Sequence, residues 1–178
     1  MNKKLLLAYA SRAGSTSEVV DRMADDLRSA GLDVDVKRVQ VVRSLQGYDA
    51  VVVGTPIRMY NPLKEAMKFA STFQPELQAL PTACFSTGLA MQIDTPLNRE
   101  AAEKFIAPLV ALLQPKAVGL FPGKLEFANL DLPWRWIFGM TSKGKGEVVT
   151  GGNTMREGDY RDWEEMKTWA LALPEKLF

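Results

Sequence analysis

Residues 11–17 combine small and hydroxyl-bearing side chains, and they read Ser-Arg-Ala-Gly-Ser-Thr-Ser. The hydroxyl groups can donate hydrogen bonds to an anion, and Gly14 permits a tight turn of the backbone. Ser15 or Thr16 is predicted to cap the helix that follows, and this helix points its unpaired N–H groups and the positive end of its dipole at the same place. Such a segment can hold a phosphate without lysine or magnesium. The alternative interpretation is a helix N-cap with ordinary turn residues.

Motifs and composition exclude several other kinds of site. The chain contains neither a Gly-Lys-Ser/Thr Walker loop nor a G-x-G-x-x-G dinucleotide fingerprint. It has no histidine, which excludes Ser-His-Asp catalysis and histidine-ligated metal sites within this chain, and we expect no bound metal. The 22 Lys and Arg residues balance 21 Asp and Glu residues, a formal net charge of +1. This balance argues against a nucleic-acid partner.

Apolar runs and helical periodicities alternate along the chain. Strands are predicted at residues 4–9, 33–37, 50–53, 82–86 and 117–121. Helices are predicted at residues 15–31, 62–73, 98–113 and 159–173, and residues 144–152 are interpreted as a mobile loop. The alternation predicts an α/β fold with a parallel sheet covered on both faces. Because ligands bind beyond the carboxyl ends of such strands, the loops after the first, third and fourth strands form the candidate site.

Three stretches of the chain carry a family resemblance. The first strand and the loop Ser-Arg-Ala-Gly-Ser-Thr resemble the FMN phosphate loop of flavodoxins. Residues 48–58, which read Tyr-Asp-Ala-Val-Val-Val-Gly-Thr-Pro-Ile-Arg, are similar to the third strand and flavin loop of the flavodoxin-like, menaquinone-dependent protoporphyrinogen dehydrogenases. Residues 158–163, Gly-Asp-Tyr-Arg-Asp-Trp, resemble the start of that family's last helix.

The resemblance implies a flavodoxin-like three-layer α/β sandwich with a five-stranded parallel sheet in the order 2-1-3-4-5. It implies one domain over residues 1–178, with an inserted apolar and Gly-Lys-rich loop at about residues 128–158 before the last helix. It also implies a non-covalently bound FMN held by three groups of residues. The phosphate would be held by Ser11, Arg12, Ala13, Gly14, Ser15 and Thr16. The ring would be bordered on one side by Thr55, Pro56, Ile57, Arg58, Met59 and Tyr60. It would be bordered on its other side by Ser86, Thr87, Gly88 and Leu89.

Arg58 is the candidate catalytic residue. Residues 55–61 carry this cation and no carboxylate, and a cation near the ring would favour the anionic reduced flavin and two-electron chemistry. Arg58 could instead bind a carboxylate of the substrate, such as a porphyrin propionate, through its paired donors. The remaining alternative is a surface arginine paired with an acid.

The activity that the resemblance implies is two-electron oxidation of protoporphyrinogen through FMN, with a quinone as the acceptor. One alternative is a flavodoxin-type electron carrier between redox protein partners. A second alternative is a binding module that has kept the fold and lost the cofactor. Redox titration of the purified protein separates the enzyme from the carrier, and a colourless protein that takes up no FMN identifies the binding module.

The apolar segment between Trp134 and Met140 suggests a second functional surface. It contains two tryptophans and is followed by Lys143 and Lys145, a composition that suits a membrane interface. A lid over the flavin, a substrate-binding wall and simple packing against the domain or a second subunit are the alternatives. The only cysteine, Cys84, is predicted to be a buried strand residue. We therefore expect a cytoplasmic protein, peripheral to the membrane if this segment meets lipid.

Overall fold

The central sheet is built from the apolar runs of the sequence. The computed structural model describes residues 3–126, 147–150 and 153–178. Five parallel strands lie side by side in the order β2-β1-β3-β5-β6. Their bounds are Lys4–Tyr9 for β1, Asp33–Arg38 for β2, Ala50–Arg58 for β3, Thr82–Gly88 for β5 and Ala117–Pro122 for β6. A two-residue strand, β4 (Asn61–Pro62), pairs antiparallel with β3. The predicted order 2-1-3-4-5 is therefore confirmed.

Helices cover both faces of this sheet, which confirms the three-layer α/β sandwich. Consecutive side chains of β1 alternate between the faces, so Leu6 and Ala8 enter one core while Leu5 and Leu7 enter the other. The first core is closed by α2 (Lys64–Thr72), α3 (Gln74–Ala79) and α4 (Pro96–Leu113). The second core is closed by α1 (Ser15–Ser29), α5 (Trp163–Leu171) and α6 (Leu173–Leu177).

Several helix ends and one helix cap differ from the predicted ones. Pro62 was expected to begin a helix, but it pairs with Ile57 in β4, and α2 begins two residues later. The last long helix begins at Trp163 because the Asp162 side chain caps it and accepts from two backbone N–H groups. The N-cap of α1 is Gly14 rather than Ser15 or Thr16.

A two-residue ladder joins the chain before and after the predicted insertion. Strand β7 (Lys124–Leu125) pairs antiparallel with β10 (Gly158–Asp159), and we call this pair the insertion neck. Beyond the neck, β8 (Glu147–Thr150) and β9 (Asn153–Arg156) form an antiparallel hairpin. The expectation of a loop across residues 144–152 is therefore wrong for residues 147–150. The segment between Trp134 and Met140 lies outside the described residues.

Burial confirms the interpretation of Cys84. The side chain lies in β5 with no exposed surface, and burial raises the pKa of its thiol to about 12. No helix in the described ranges is both long enough and apolar enough to cross a membrane.

Candidate functional site

The loops after β1, β3 and β5 meet at the carboxyl edge of the sheet, as the strand order predicts. The Thr16 and Thr87 hydroxyl oxygens lie 3.1 Å apart and form a buried hydrogen bond between the first turn of α1 and the carboxyl end of β5. The Ala10 N–H donates to the Gly54 carbonyl at 2.9 Å and connects the first loop to β3. Three segments far apart in sequence thus meet at one edge of the sheet.

The predicted phosphate loop, residues 11–16, is a turn that opens directly into α1. Gly14 adopts a φ of +89°, and a Cβ built on it would meet nothing within 4 Å. Its N–H donates to the Ser11 hydroxyl oxygen at 3.2 Å, which closes the turn. The first N–H groups of an α-helix have no partner within the helix, and here they face the loop. This combination of open space and donors fits a phosphate group.

The hydroxyl groups around the loop differ in whether they can still donate a hydrogen bond to a ligand. Thr16 and Thr87 share one hydrogen bond, so one of their two O–H groups remains able to donate to a third group. The Ser17 hydroxyl donates to the Tyr9 hydroxyl at 3.0 Å. The Thr55 hydroxyl has no hydrogen left to donate, because it donates to the Pro56 carbonyl and also accepts from Leu63 N–H, each at 3.1 Å. Thr55 therefore holds the chain after β3 in shape.

The chain after β3 forms a tight hairpin with β4. Arg58 pairs with Asn61 across it, and Met59 and Tyr60 form the two-residue turn with φ values of 48° and 65°. Two positive φ angles give a turn that normally takes Asn or Gly, so both side chains are held in an unfavourable conformation. Met59 is 68% exposed and Tyr60 is 70% exposed. Tyr60 lies at the tip of this turn, before α2 begins.

Tyr60 also has a neighbour on α4. Its ring centroid lies 5.2 Å from that of Phe105, with the planes tilted by 54°. This contact supports the turn from one side and leaves most of the Tyr60 ring exposed. Whether Tyr60 borders a flavin ring stays a prediction.

Glycines in the site let the polypeptide pack closely. A Cβ on Gly54, within the family-like stretch at residues 48–58, would lie only 2.4 Å from the Phe85 ring. Gly88, the last residue of β5, accepts a hydrogen bond through its carbonyl from Gly123 N–H at 3.1 Å. The Gly123 carbonyl in turn accepts from Tyr160 N–H at 3.2 Å. Backbone hydrogen bonds therefore connect the end of β5 to the residues that flank the insertion neck.

Three guanidinium groups contact the predicted phosphate loop or extend from it. Arg12 Nη2 donates to Glu65 Oε1 at 2.9 Å. Arg38 Nη1 donates to the Ser11 carbonyl at 3.2 Å. Arg161 Nη1 donates to the Ser15 carbonyl at 3.2 Å. Sequence reasoning missed Arg38 and Arg161, because their partners lie 27 and 146 positions away along the chain.

One carboxylate oxygen of Glu65, the partner of Arg12, lacks a hydrogen-bond donor within the described ranges. Its Oε2 atom is buried and has no hydrogen-bond partner among the described residues. A buried oxygen of this kind is costly unless a donor reaches it. It fits a site that is completed by a ligand carrying hydroxyl groups.

Comparisons of the sequence identify its relatives. A family described as "Flavodoxin domain" matches residues 6–148. The protoporphyrinogen IX dehydrogenase [quinone] of Escherichia coli strain K12 is 26% identical over 172 residues, which cover 94% of this chain and 92% of that protein. The protein of the same name from Leishmania major is 28% identical over 182 residues, covering 96% of this chain and 76% of that protein.

Solved structures show the same fold. A Streptococcus pneumonia TIGR4 flavodoxin matches 97% of this chain and 99% of its own, with a TM-score of 0.58 and 19% identity. A Fusobacterium nucleatum flavodoxin bound to flavin mononucleotide matches 99% of both chains, with a TM-score of 0.58 and 11% identity. A rubredoxin oxygen:oxidoreductase from Desulfovibrio gigas matches 98% of this chain, with a TM-score of 0.54 and 17% identity. The match covers only 37% of the length of that longer protein.

Proposed function

The chain belongs to the flavodoxin domain family, and from this premise we propose that it is an FMN-dependent oxidoreductase that oxidises a protoporphyrinogen-type substrate and passes two electrons to a quinone. The observation that carries the proposal is the hydrogen bond between Thr16 and Thr87. It joins the loop suited to a phosphate with the loop suited to one edge of a flat ring, at the point where the family binds its cofactor.

The predicted phosphate loop supplies donors at one end of the site. Backbone N–H groups at the start of α1 and the spare hydroxyl hydrogen of the Thr16–Thr87 pair bind the phosphate. Gly14 keeps the loop open, because no other residue adopts its φ of +89° so readily. Arg12 extends from the same loop but is engaged with Glu65.

The ring position lies between the β3–β4 hairpin, at residues 57–62, and the loop after β5. On one side lie Pro56, Ile57, Arg58, Met59 and Tyr60, and the exposed Met59 and Tyr60 side chains supply apolar surface. On the other side lie Ser86, Thr87, Gly88 and Leu89, where backbone groups supply hydrogen bonds. Arg58 is the proposed catalytic residue, either through its charge near the ring or through a substrate carboxylate.

FMN, when bound, supplies transfer of one or two electrons, and the protein tunes it through charge and hydrogen bonds. Residues 55–61 contain Arg58 and no carboxylate, which favours negative charge on the ring. Relatives named as quinone-linked protoporphyrinogen IX dehydrogenases match more than nine-tenths of this chain. Both facts favour a two-electron enzyme with small-molecule partners over a carrier between proteins.

The absorption spectrum of the purified protein and its titration with FMN test cofactor binding first. Anaerobic reduction and turnover with protoporphyrinogen IX and a menaquinone analogue test the activity. A bound flavin that is reduced in a single two-electron step and turns over with quinone supports the enzyme. A long-lived one-electron state without quinone turnover identifies an electron carrier instead. A colourless protein that takes up no FMN contradicts the proposal and identifies a binding module.

A further inference from the structure

A buried arginine lies beneath the first turn of α1. The Arg161 side chain is 4% exposed, although it precedes α5 and lies far in sequence from the predicted phosphate loop. Its Nη1 atom donates to the Ser15 carbonyl at 3.2 Å and to Glu18 Oε2 at 2.7 Å. One guanidinium nitrogen therefore holds both the backbone and a side chain of the turn that begins the helix.

The rest of the Arg161 guanidinium is held by the insertion neck. Nε donates to Asp159 Oδ1 at 2.7 Å, and Nη2 donates to Asp159 Oδ2 at 2.5 Å, so the pair is bidentate. The guanidinium carbon lies 4.5 Å from the centroid of the Trp163 ring. Ionic bonds and a stacked ring together fix its orientation.

Arg161 offsets negative charge near the predicted phosphate loop. Glu18 and Asp159 place two carboxylates close to the first turn of α1, where a helix N-terminus also attracts anions. The bidentate bond to Arg161 lowers the pKa of Asp159, and the same bond raises the pKa of Arg161. Both groups are therefore charged at neutral pH, and the arginine offsets the carboxylates that would otherwise repel a phosphate dianion.

We propose that Arg161 is a positioning residue for the phosphate of the cofactor, because it fixes the first turn of α1 and holds Glu18 in an ion pair beside it. The inference rests on the proposed function, since it assumes that FMN binds at this loop. It adds a residue outside the three loops, and this residue is also bonded to Asp159 of the insertion neck.

The test compares two ligands that differ only in the phosphate. Apo-protein is titrated with FMN and with riboflavin, and flavin fluorescence reports the Kd of each. The variants are Arg161→Gln, which removes the charge, and Arg161→Lys, which keeps a charge but loses the fork of donors. The matched control is Arg22→Gln, because Arg22 is an exposed arginine whose guanidinium carbon lies 4.9 Å from the same Trp163 ring.

We expect Arg161→Gln to raise the Kd for FMN about tenfold or more, as typical for loss of charge-assisted hydrogen bonds. Riboflavin affinity should change by less than about twofold, since riboflavin carries no phosphate to interact with the loop. Arg161→Lys should show a smaller loss, again confined to FMN. Arg22→Gln should change neither affinity.

A loss shared equally by FMN and riboflavin, or no loss for FMN, overturns the inference, because a merely structural arginine affects both ligands alike. If Arg161→Gln does not fold, the same comparison on Arg161→Lys decides the question by the same criterion. A wild-type protein that binds neither flavin overturns the proposed function and this inference with it. A wild-type protein that binds FMN, together with variants that bind it equally well, overturns the inference alone.

Discussion

The hydroxyl oxygens of Thr16 and Thr87 lie 3.1 Å apart across 71 positions of sequence. Thr16 lies in the first turn of α1, and Thr87 lies near the carboxyl end of β5. Both side chains are almost fully buried. This hydrogen bond is the most direct link between the two ends of the proposed cofactor site, so its removal should affect both folding and binding.

Replacing Thr16 with Val should lower the free energy of unfolding by about 1–3 kcal/mol, because the Thr87 hydroxyl is left buried without its partner. The same change should weaken FMN binding. Urea denaturation and FMN titration measure the two effects. The double variant with Thr87→Val should regain part of the stability and none of the FMN affinity. If Thr16→Val binds FMN as tightly as the wild type does, the Thr16 hydroxyl does not bind the phosphate.

Replacing Gly14 with Ala should cost about 1–2 kcal/mol of stability, because a φ of +89° disfavours any side chain. It should also weaken FMN binding by reshaping the loop. Gly31→Ala is the matched control, since Gly31 has a φ of +91° and is equally open, but lies at the other end of α1. Equal effects of the two variants on FMN affinity would contradict the site.

Replacing Met59 with Gly should raise the free energy of unfolding by about 1 kcal/mol, because the turn no longer forces a side chain into the left-handed region. Gln114→Gly is the control, since Gln114 has a similar φ of 49° at the end of α4. Thermal unfolding of both variants checks the gain. A gain for Gln114→Gly with none for Met59→Gly would show that the hairpin relaxes on its own.

Replacing Arg58 with Ala should leave FMN affinity largely intact while lowering the reduction potential of the bound flavin or raising the substrate KM. The first outcome follows from loss of a cation near the ring, and the second from loss of a partner for a substrate carboxylate. Potentiometric titration and steady-state kinetics distinguish them. If Arg58→Ala matches the wild type in both measurements, Arg58 has only a surface role.

Stability should depend on acidic pH through Asp159. Its pKa is lowered in the folded protein, chiefly by the hydrogen bond from Arg161. A carboxyl group with a depressed pKa stabilises the fold above its unfolded pKa, near 3.9, and this contribution is lost as the pH falls through the folded pKa. Denaturation from pH 7 to pH 2 should show this decline. Asp159→Asn should make this decline shallower, and a pH profile identical to that of the wild type would refute the assignment.

The sheet and its helices could be predicted from sequence because apolar periodicity reports burial directly. The continuous apolar run in β1 and the alternation in β2 correspond to a central strand and an edge strand, as observed. The turn at Met59 and Tyr60 could not be predicted, because both residues disfavour positive φ and nothing local signals a hairpin. The position of Pro62 in a strand follows from that turn.

The loops of the site could be located in advance, since the carboxyl ends of parallel strands share one edge of the sheet. The hydrogen-bond partners of individual side chains could not be predicted in this way. The Thr55 hydroxyl looks available in the sequence, yet it is consumed by the backbone of Pro56 and Leu63. Arg161 looks like an ordinary polar residue before a helix, yet it is bonded to a carbonyl 146 positions away. Such pairings depend on tertiary packing rather than on local pattern.

The insertion neck has an evolutionary consequence. Gly158 lies opposite Leu125 and Asp159 lies opposite Lys124, so the two ends of the intervening stretch are pinned side by side. Closing a longer excursion between fixed ends costs little extra entropy. The sequence between these two ends can therefore become longer or shorter during evolution at little cost to the stability of the sheet.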